Sequence, residues 1–153
     1  MDFAELRQFI TEPVAIQLAI AAGGSVPQSV RGFGLQLDAD DTLRLGLVDA
    51  QAPEFLTALA GARRLAVNLT HPLTFRGRQL KGTLLEIEPP SPAAERAALE
   101  YFARFTLLLA NIGLTPQQCR GLFRSGPTRW LRMRPEQQFN QTPGAGAGEP
   151  FSP

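Results

Sequence analysis

Three runs of alternating apolar residues follow one another with no helical run between them, and nothing else in the chain limits its fold as strongly. Val14, Ile16, Leu18 and Ile20 alternate with Ala15, Gln17, Ala19 and Ala21. Arg31, Phe33, Leu35 and Leu37 alternate with Gly32, Gly34 and Gln36, and Leu43, Leu45 and Leu47 follow. A period of two is the mark of a strand with one face buried. Parallel neighbours would need a crossover helix between successive strands, and the spacing here leaves room only for turns, at Gly23-Gly24 and at Asp38 to Asp41. The three strands are therefore antiparallel, and a doubly wound parallel sheet is disfavoured. Glycines inside the second run suggest either a bend of a curved strand or a close approach by a ligand.

Helical signals are fewer and sharper. Asp2 can cap a short opening helix with Glu5 as its reciprocal partner, and Glu12-Pro13 ends that region. Ala52 to Ala60 reads as a helix with Pro53 in its first turn and Gly61 as terminator. Ser91-Pro92 opens a longer helix to Asn111, with Ala94, Ala98, Tyr101, Phe102, Phe105, Leu108 and Leu109 at helical spacing and Gly113 as its stop. Thr115-Pro116-Gln117-Gln118 is a second capping signature. Leu65, Val67 and Leu69 mark a fourth strand, Arg78 to Glu88 a fifth and Thr128 to Arg134 a sixth. Closure of such strands into a barrel removes exposed edges. The expectation is one domain over residues 1–141 and a mobile Gly/Pro-rich tail over 142–153.

Composition narrows the function classes. A net charge of +1 gives no reason to expect nucleic acid, although fourteen of the fifteen basic residues are arginines, which can clamp phosphate bidentately. Cys119 is the only cysteine, which rules out an intramolecular disulfide and a zinc site built on several thiolates. The start of the chain lacks a secretory signal, and the longest apolar run, Pro13 to Ala22 interrupted by Gln17, is too short for a membrane span. A cytoplasmic protein with no membrane partner is expected.

Two segments carry the functional signal. Pro27-Gln28-Ser29-Val30-Arg31-Gly32-Phe33-Gly34-Leu35 and Arg78-Gln79-Leu80-Lys81-Gly82 each read as a strand with polar groups on one face. Together they offer a flavin-sized anion a guanidinium and an amide without a phosphate-binding helix. The pairing resembles the pyridoxamine 5'-phosphate oxidase-like family of FMN-binding split barrels, over roughly residues 10 to 145. The resemblance implies a mainly β fold, a split barrel of six or so mostly antiparallel strands with helices packed around it. It implies FMN as cofactor, oxidoreductase chemistry on a substrate it does not name, and a homodimer whose ligand cleft is lined by both subunits. By the same resemblance, Arg31 matches the arginine that holds the FMN phosphate and Gln79 the glutamine near the isoalloxazine ring. Ser29, Gly32, Gln51 and Arg78 complete the implied cofactor set, with no metal. The turn after the third strand reads Asp49-Ala50-Gln51-Ala52-Pro53, where the family's better-known enzymes carry a hydroxyl and basic residues, and so offers an anion. The alternative is a non-catalytic module that uses the same cleft to bind or sequester a flavin, haem or another anionic ligand.

His71, the only histidine, is the natural proton-transfer candidate near neutral pH, or an axial haem ligand; at His71-Pro72 it also reads as a solvated turn residue. Cys119 reads as a buried, inert thiol, and Trp130 as a ring-stacking residue or a wedge in a subunit interface.

Overall fold

The computed structural model describes residues 1–21 and 26–151, so the expected Gly23-Gly24 turn lies outside the described residues. Seven antiparallel strands form one sheet: β1 (Ala15–Ile20), β2 (Gln28–Gly32), β3 (Leu35–Leu37), β4 (Leu43–Val48), β5 (Arg64–Thr70), β6 (Gly77–Ile87) and β7 (Thr128–Asn140). Their order across the sheet is β2-β1-β5-β6-β7-β4-β3. Consecutive strands β2 and β3 thus lie at opposite edges, and the sheet must curl for the chain to pass between them. The two edges meet at Phe33 and Gly34, where the Phe33 N–H donates to Gly46 O at 2.8 Å and the Gly46 N–H to Gly34 O at 2.9 Å. A Cβ on Gly46 would sit 2.1 Å from Phe33 O, so only glycine permits this crossing.

The second alternating run is therefore two strands rather than one. Gly34 takes φ +123°, a conformation L side chains rarely adopt, and the alternation reverses there. Arg31 and Phe33 lie on the outer side with the ring of Phe33 beneath α3, whereas Leu35 and Leu37 pack into the main core. That core is filled by Ile16, Leu18 and Ile20 of β1, Leu43, Leu45 and Leu47 of β4, Leu65, Val67 and Leu69 of β5, and Leu80 of β6.

The last strand runs past the expected Arg134 to Asn140. Pro135 is tolerated because it faces Gly82 at a bulge, where Lys81 pairs with Gln137 and Gly82 with Pro135, leaving Glu136 as the extra residue. In place of the expected mobile extension, residues 141–151 fold back on β7. Asn140 N donates to Glu149 O at 2.9 Å and Phe151 N to Gln138 O at 2.8 Å, with positive φ at Gly144, Gly146 and Gly148 allowing the reversal. This return covers the edge of β7 beyond the end of β4.

Helix α1 (Phe3–Phe9) buries Leu6 and Phe9, and α2 (Pro53–Leu59) buries Phe55 and Leu59, both against the main core. Asp2 caps α1 through the Glu5 N–H at 2.9 Å, but the reciprocal bond is absent because the Glu5 carboxylate is taken by Arg78. Helix α3 (Pro92–Leu109) starts on the Ser91 cap and lies over β4 and β7, burying Ala94, Ala98, Phe105 and Leu109. Short α4 (Pro116–Cys119) has the full capping box of Thr115 and Gln118. Among the described residues no helix is long and apolar enough to cross a membrane.

Candidate functional site

Strand register builds the site. Arg31 on β2 pairs with Gln17 on β1, Gln17 with Asn68 on β5, Asn68 with Gln79 on β6, and Gln79 with Phe139 on β7. Their neighbours along each strand, Ile16, Leu18, Val67, Leu69 and Leu80, are buried in the core. The alternation therefore puts Arg31, Gln17, Asn68 and Gln79 in one row on the outer face. Strands lie about 4.8 Å apart, so Arg31 and Gln79 are separated by three spacings, roughly 14 Å. The two motifs, far apart in the chain, thus become the two ends of a single polar track. Ala15, Ala19 and Ala66 border it and keep the surface low.

At one end of the track Arg31 rests on an aromatic shelf. Its guanidinium carbon lies 5.0 Å from the Phe105 ring centroid and 5.9 Å from that of Phe33. Tyr101 stacks on Phe105 at 5.7 Å, and its hydroxyl donates to Val14 O at 2.5 Å, tying α3 to the start of β1. Burial pushes the Tyr101 phenol well above its ordinary value, against the opposing charge of Arg31 beside it. The shelf limits the rotamers of Arg31 and holds its fork in place. Among the described residues Arg31 joins no ion pair, and its Nε is buried without a hydrogen-bond partner. A buried donor left unpaired costs about 1–3 kcal/mol, a deficit that a ligand oxygen reaching Nε would relieve. At the other end, the Gln79 amide is half-buried and makes no hydrogen bond among the described residues.

No family model matches this sequence, and no curated protein matches it. Solved structures do. The Group A Streptococcus protein HupZ aligns over 97% of this chain and 100% of its own with a TM-score of 0.58 and 16% identity. A conserved hypothetical protein from Mycobacterium tuberculosis aligns over 92% of this chain and 84% of its own at TM-score 0.57 and 17% identity. A Clostridium acetobutylicum protein related to general stress protein 26, of the pyridoxinephosphate oxidase family, aligns over 90% and 85% at TM-score 0.52 and 13% identity. The chain has the split-barrel fold of the pyridoxamine 5'-phosphate oxidase-like proteins. At these identities the likeness is one of fold.

Within this split barrel the other residues singled out from the sequence take varied places. Ser29 lies one row from Arg31 on the outer face, opposite Ala19, and shares a cleft of about 120 Å3 with Gln51 and Pro53. Gln51 is already committed: its Nε2 donates to Leu122 O at 3.2 Å and its Oε1 accepts from Arg124 N at 2.8 Å. Asp49 does not present a bare charge, because Arg129 holds it bidentately at 2.7 and 2.6 Å. Gly32 points to the core, where a Cβ would lie 2.7 Å from Ile16 Cγ2, and Gly34 faces the Trp130 ring at 3.2 Å, so both glycines make room for protein. Arg78 is on the inner face, buried, with its Nη2 donating to Glu5 Oε1 at 2.7 Å. The structure thus unites Arg31, Ser29 and Gln79 on one face, sets Gln51 beside Ser29, and places Arg78 on the opposite side of the sheet.

His71 is 8% exposed, not a solvated turn residue. Its Nδ1 accepts from the Leu73 and Thr74 N–H groups at 3.3 Å each, which leaves the proton on Nε2 to donate to Glu12 at 2.6 Å. Nδ1 staples the 71–76 turn, and Nε2 ties that turn to Glu12. Cys119 is buried beside Phe105 and Leu109, and Trp130 is buried within the chain.

Gln17, Asn68, Tyr101 and Phe105 escaped the sequence reading as site residues. Gln17 did leave a signal, as the polar interruption of an apolar strand, but its meaning depends on which residues the register sets beside it.

Proposed function

We propose that this chain binds FMN along the outer-face track and works as an FMN-dependent oxidoreductase. The observation that carries the reading is Arg31, a shelved guanidinium with an orphaned Nε and no carboxylate partner among the described residues, in register with Gln79. Arg31 and Ser29 would hold the phosphate, which matches a planar fork of donors. Gln79, with Gln17 and Asn68 between, would meet the polar edge of the ring, where a side-chain amide both donates and accepts. Bound flavin supplies hydride or electron transfer, and the protein's part is to hold and orient it. The pyridoxinephosphate oxidase family assignment of the Clostridium acetobutylicum neighbour supports the same ligand class.

The track is shallow, and a ring lying along Gln17 and Asn68 would stay exposed on its other side. A second copy of the chain supplies the missing wall in this reading, with a two-fold interface of at least about 1,000 Å2. Titration of purified protein with FMN and with riboflavin, alongside light scattering, tests both parts. Tight FMN binding by a dimer is expected. A protein that ignores FMN, or a monomer at micromolar concentration, would overturn the reading.

A second reading, a module that binds or sequesters the ligand without catalysis, draws on the turn after β4. Asp49 and Gln51 are spent on Arg129 and on the 122–124 segment, so that turn adds no cation to the phosphate end. Flavin bound but inert toward reduced nicotinamide and oxygen would favour this second reading.

A further inference from the structure

One row beyond the polar track, the outer face deepens into a cleft of about 260 Å3 lined by Ala19, Ala21, Pro27, Arg64, Ala66 and Lys81. Its floor is made of alanines from β1 and β5, paired Ala19 to Ala66, and its polar groups lie at the rim. The two rim cations differ. Arg64 is spoken for, its Nη1 shared between Thr83 Oγ1 and the Glu136 carboxylate. Lys81, the only lysine of the chain, joins no ion pair among the described residues. Its ammonium sits 4.8 Å from the ring centroid of Phe139, the residue paired with Gln79. Lys81 therefore leans from the cleft toward the Gln79 end of the track. The outward positions of β1, β2 and β5, and of β6 as far as Thr83, carry no Asp or Glu. An alanine floor, an ammonium in no ion pair among the described residues and a rim carboxylate, Glu136, already paired with Arg64 together suit an anion on a compact apolar body and disfavour a cation or a sugar.

We propose that this cleft binds a small organic anion, an apolar ring or short chain ending in a carboxylate or phosphate, with Lys81 as the group that recognises the charge. The assignment of that anion as the substrate, held beside the flavin ring, rests on the flavin reading above; the anion cleft itself does not. An apolar body on the alanine floor would run along the row from Ala19 through Ala66 to Lys81, parallel to the Gln17–Asn68–Gln79 row where the ring would lie, with its charged end at Lys81.

The test uses benzoate, phenyl phosphate and uncharged benzyl alcohol as probes, with binding followed by ligand-observed NMR on the full chain with and without FMN. Benzoate or phenyl phosphate should bind and benzyl alcohol only weakly, and the stronger of the two anions identifies the carboxylate or phosphate class. Lys81→Met should weaken the anion at least about tenfold, as loss of a charge-assisted contact does, while FMN affinity stays unchanged. Ala66→Leu, which fills the floor without touching the charge, should abolish binding of all three probes. Equal binding of charged and uncharged probes, or anion affinity indifferent to Lys81→Met, overturns the proposal. So does a Lys81→Met variant that loses FMN and riboflavin instead of benzoate, since the lysine would then be a flavin ligand. If benzoate binds in the Lys81-dependent way to a protein that refuses FMN, the anion cleft stands and the flavin reading falls.

Discussion

Arg31 and Arg78 occur in the two segments that drew attention in the sequence, yet they sit in opposite physical situations. Arg78 is on the inner face, 6% exposed, and saturated. It donates twice to Glu5, at 2.7 and 3.4 Å, and to Gly77 O at 2.9 Å, with Asn140 and Thr142 at 3.5 Å, between the rings of Phe9 and Phe151. Gln138 adds a bond from its Nε2 to Glu5 at 3.2 Å, so helix α1, β6, β7 and the returning C-terminal segment converge on one guanidinium. Arg31 is on the outer face, laid over two aromatic rings, and retains an unpartnered Nε. A cation whose donors are all used is a structural rivet. One that is held in place with donors to spare is suited to meet a ligand.

That contrast predicts where each substitution will register. The largest effect on stability is expected from Arg78→Met, which takes from the Glu5 carboxylate its nearest cation and leaves it Gln138 at 3.2 Å and Arg76 at 3.6 Å. Losing these charge-assisted bonds costs about 3 kcal/mol, read as a lowered urea midpoint, with FMN affinity of the folded fraction unchanged. Loss of FMN affinity at undiminished stability would instead return Arg78 to the ligand site.

Arg31→Ala should show the inverse pattern. FMN binding should weaken by about 1.5–3 kcal/mol per lost hydrogen bond to a charged group, whereas riboflavin, which lacks the phosphate, should bind as before. Calorimetric titration of both ligands separates them, and equal losses for the two would break the assignment of Arg31 to a phosphate.

Truncation after Thr142 sharpens the structural half of the comparison. It removes the Phe151 ring from Arg78, at 4.4 Å, together with the backbone bonds from Asn140 N and Phe151 N. A loss of about 1–2 kcal/mol in unfolding free energy is expected, at net hydrogen-bond worth of about 1 kcal/mol each. Unchanged stability would show that the returning segment contributes nothing to the rivet.

The smallest effect concerns Tyr101, the chain's only tyrosine. Burial raises its phenol in the folded protein, so the fold retains the proton that the unfolded chain releases above its ordinary value of 10.0. The unfolded state then binds fewer protons, and stability from this group is full below about pH 10 and falls as pH rises beyond it. Unfolding midpoints of the parent and of Tyr101→Phe, compared on either side of that value, should differ in their pH dependence, the parent's falling above it and the variant's not, and identical pH dependence would show that Tyr101 is not the source. In the parent, Arg31→Met should push the phenol still higher, because the Arg31 charge opposes the burial effect.

The split barrel was legible in the sequence to the extent that its signals are local. Alternation marked the buried faces of β1, β4 and β5, Ser91 and Thr115 marked the starts of α3 and α4, and Gly113 marked a stop realised at φ +83°. Gly34 was visible as a glycine in a strand, but its reversal of the faces was not, since that depends on the edge of β4 it meets. The C-terminal glycines read as a flexible tail because composition cannot see that Gln138 and Asn140 present an open edge to which residues 149–151 return. Among the candidate site residues, the outward placement of Arg31 and Gln79 and the inward turn of Arg78 beside Gln79 both follow from strand parity.

By itself the sequence determined an antiparallel, mainly β chain with its helices and turns near their places, because capping, glycine conformation and side-chain alternation act over a few residues. Only the tertiary structure decided which arginine is free and which is spent. Glu5 and Arg78 lie 73 positions apart, and Arg31 and Gln79 become neighbours on a track only through three successive strand registers. Partnerships of that kind are fixed by how the whole sheet curls, since a guanidinium is satisfied or left open by whatever the folded chain brings within hydrogen-bond reach.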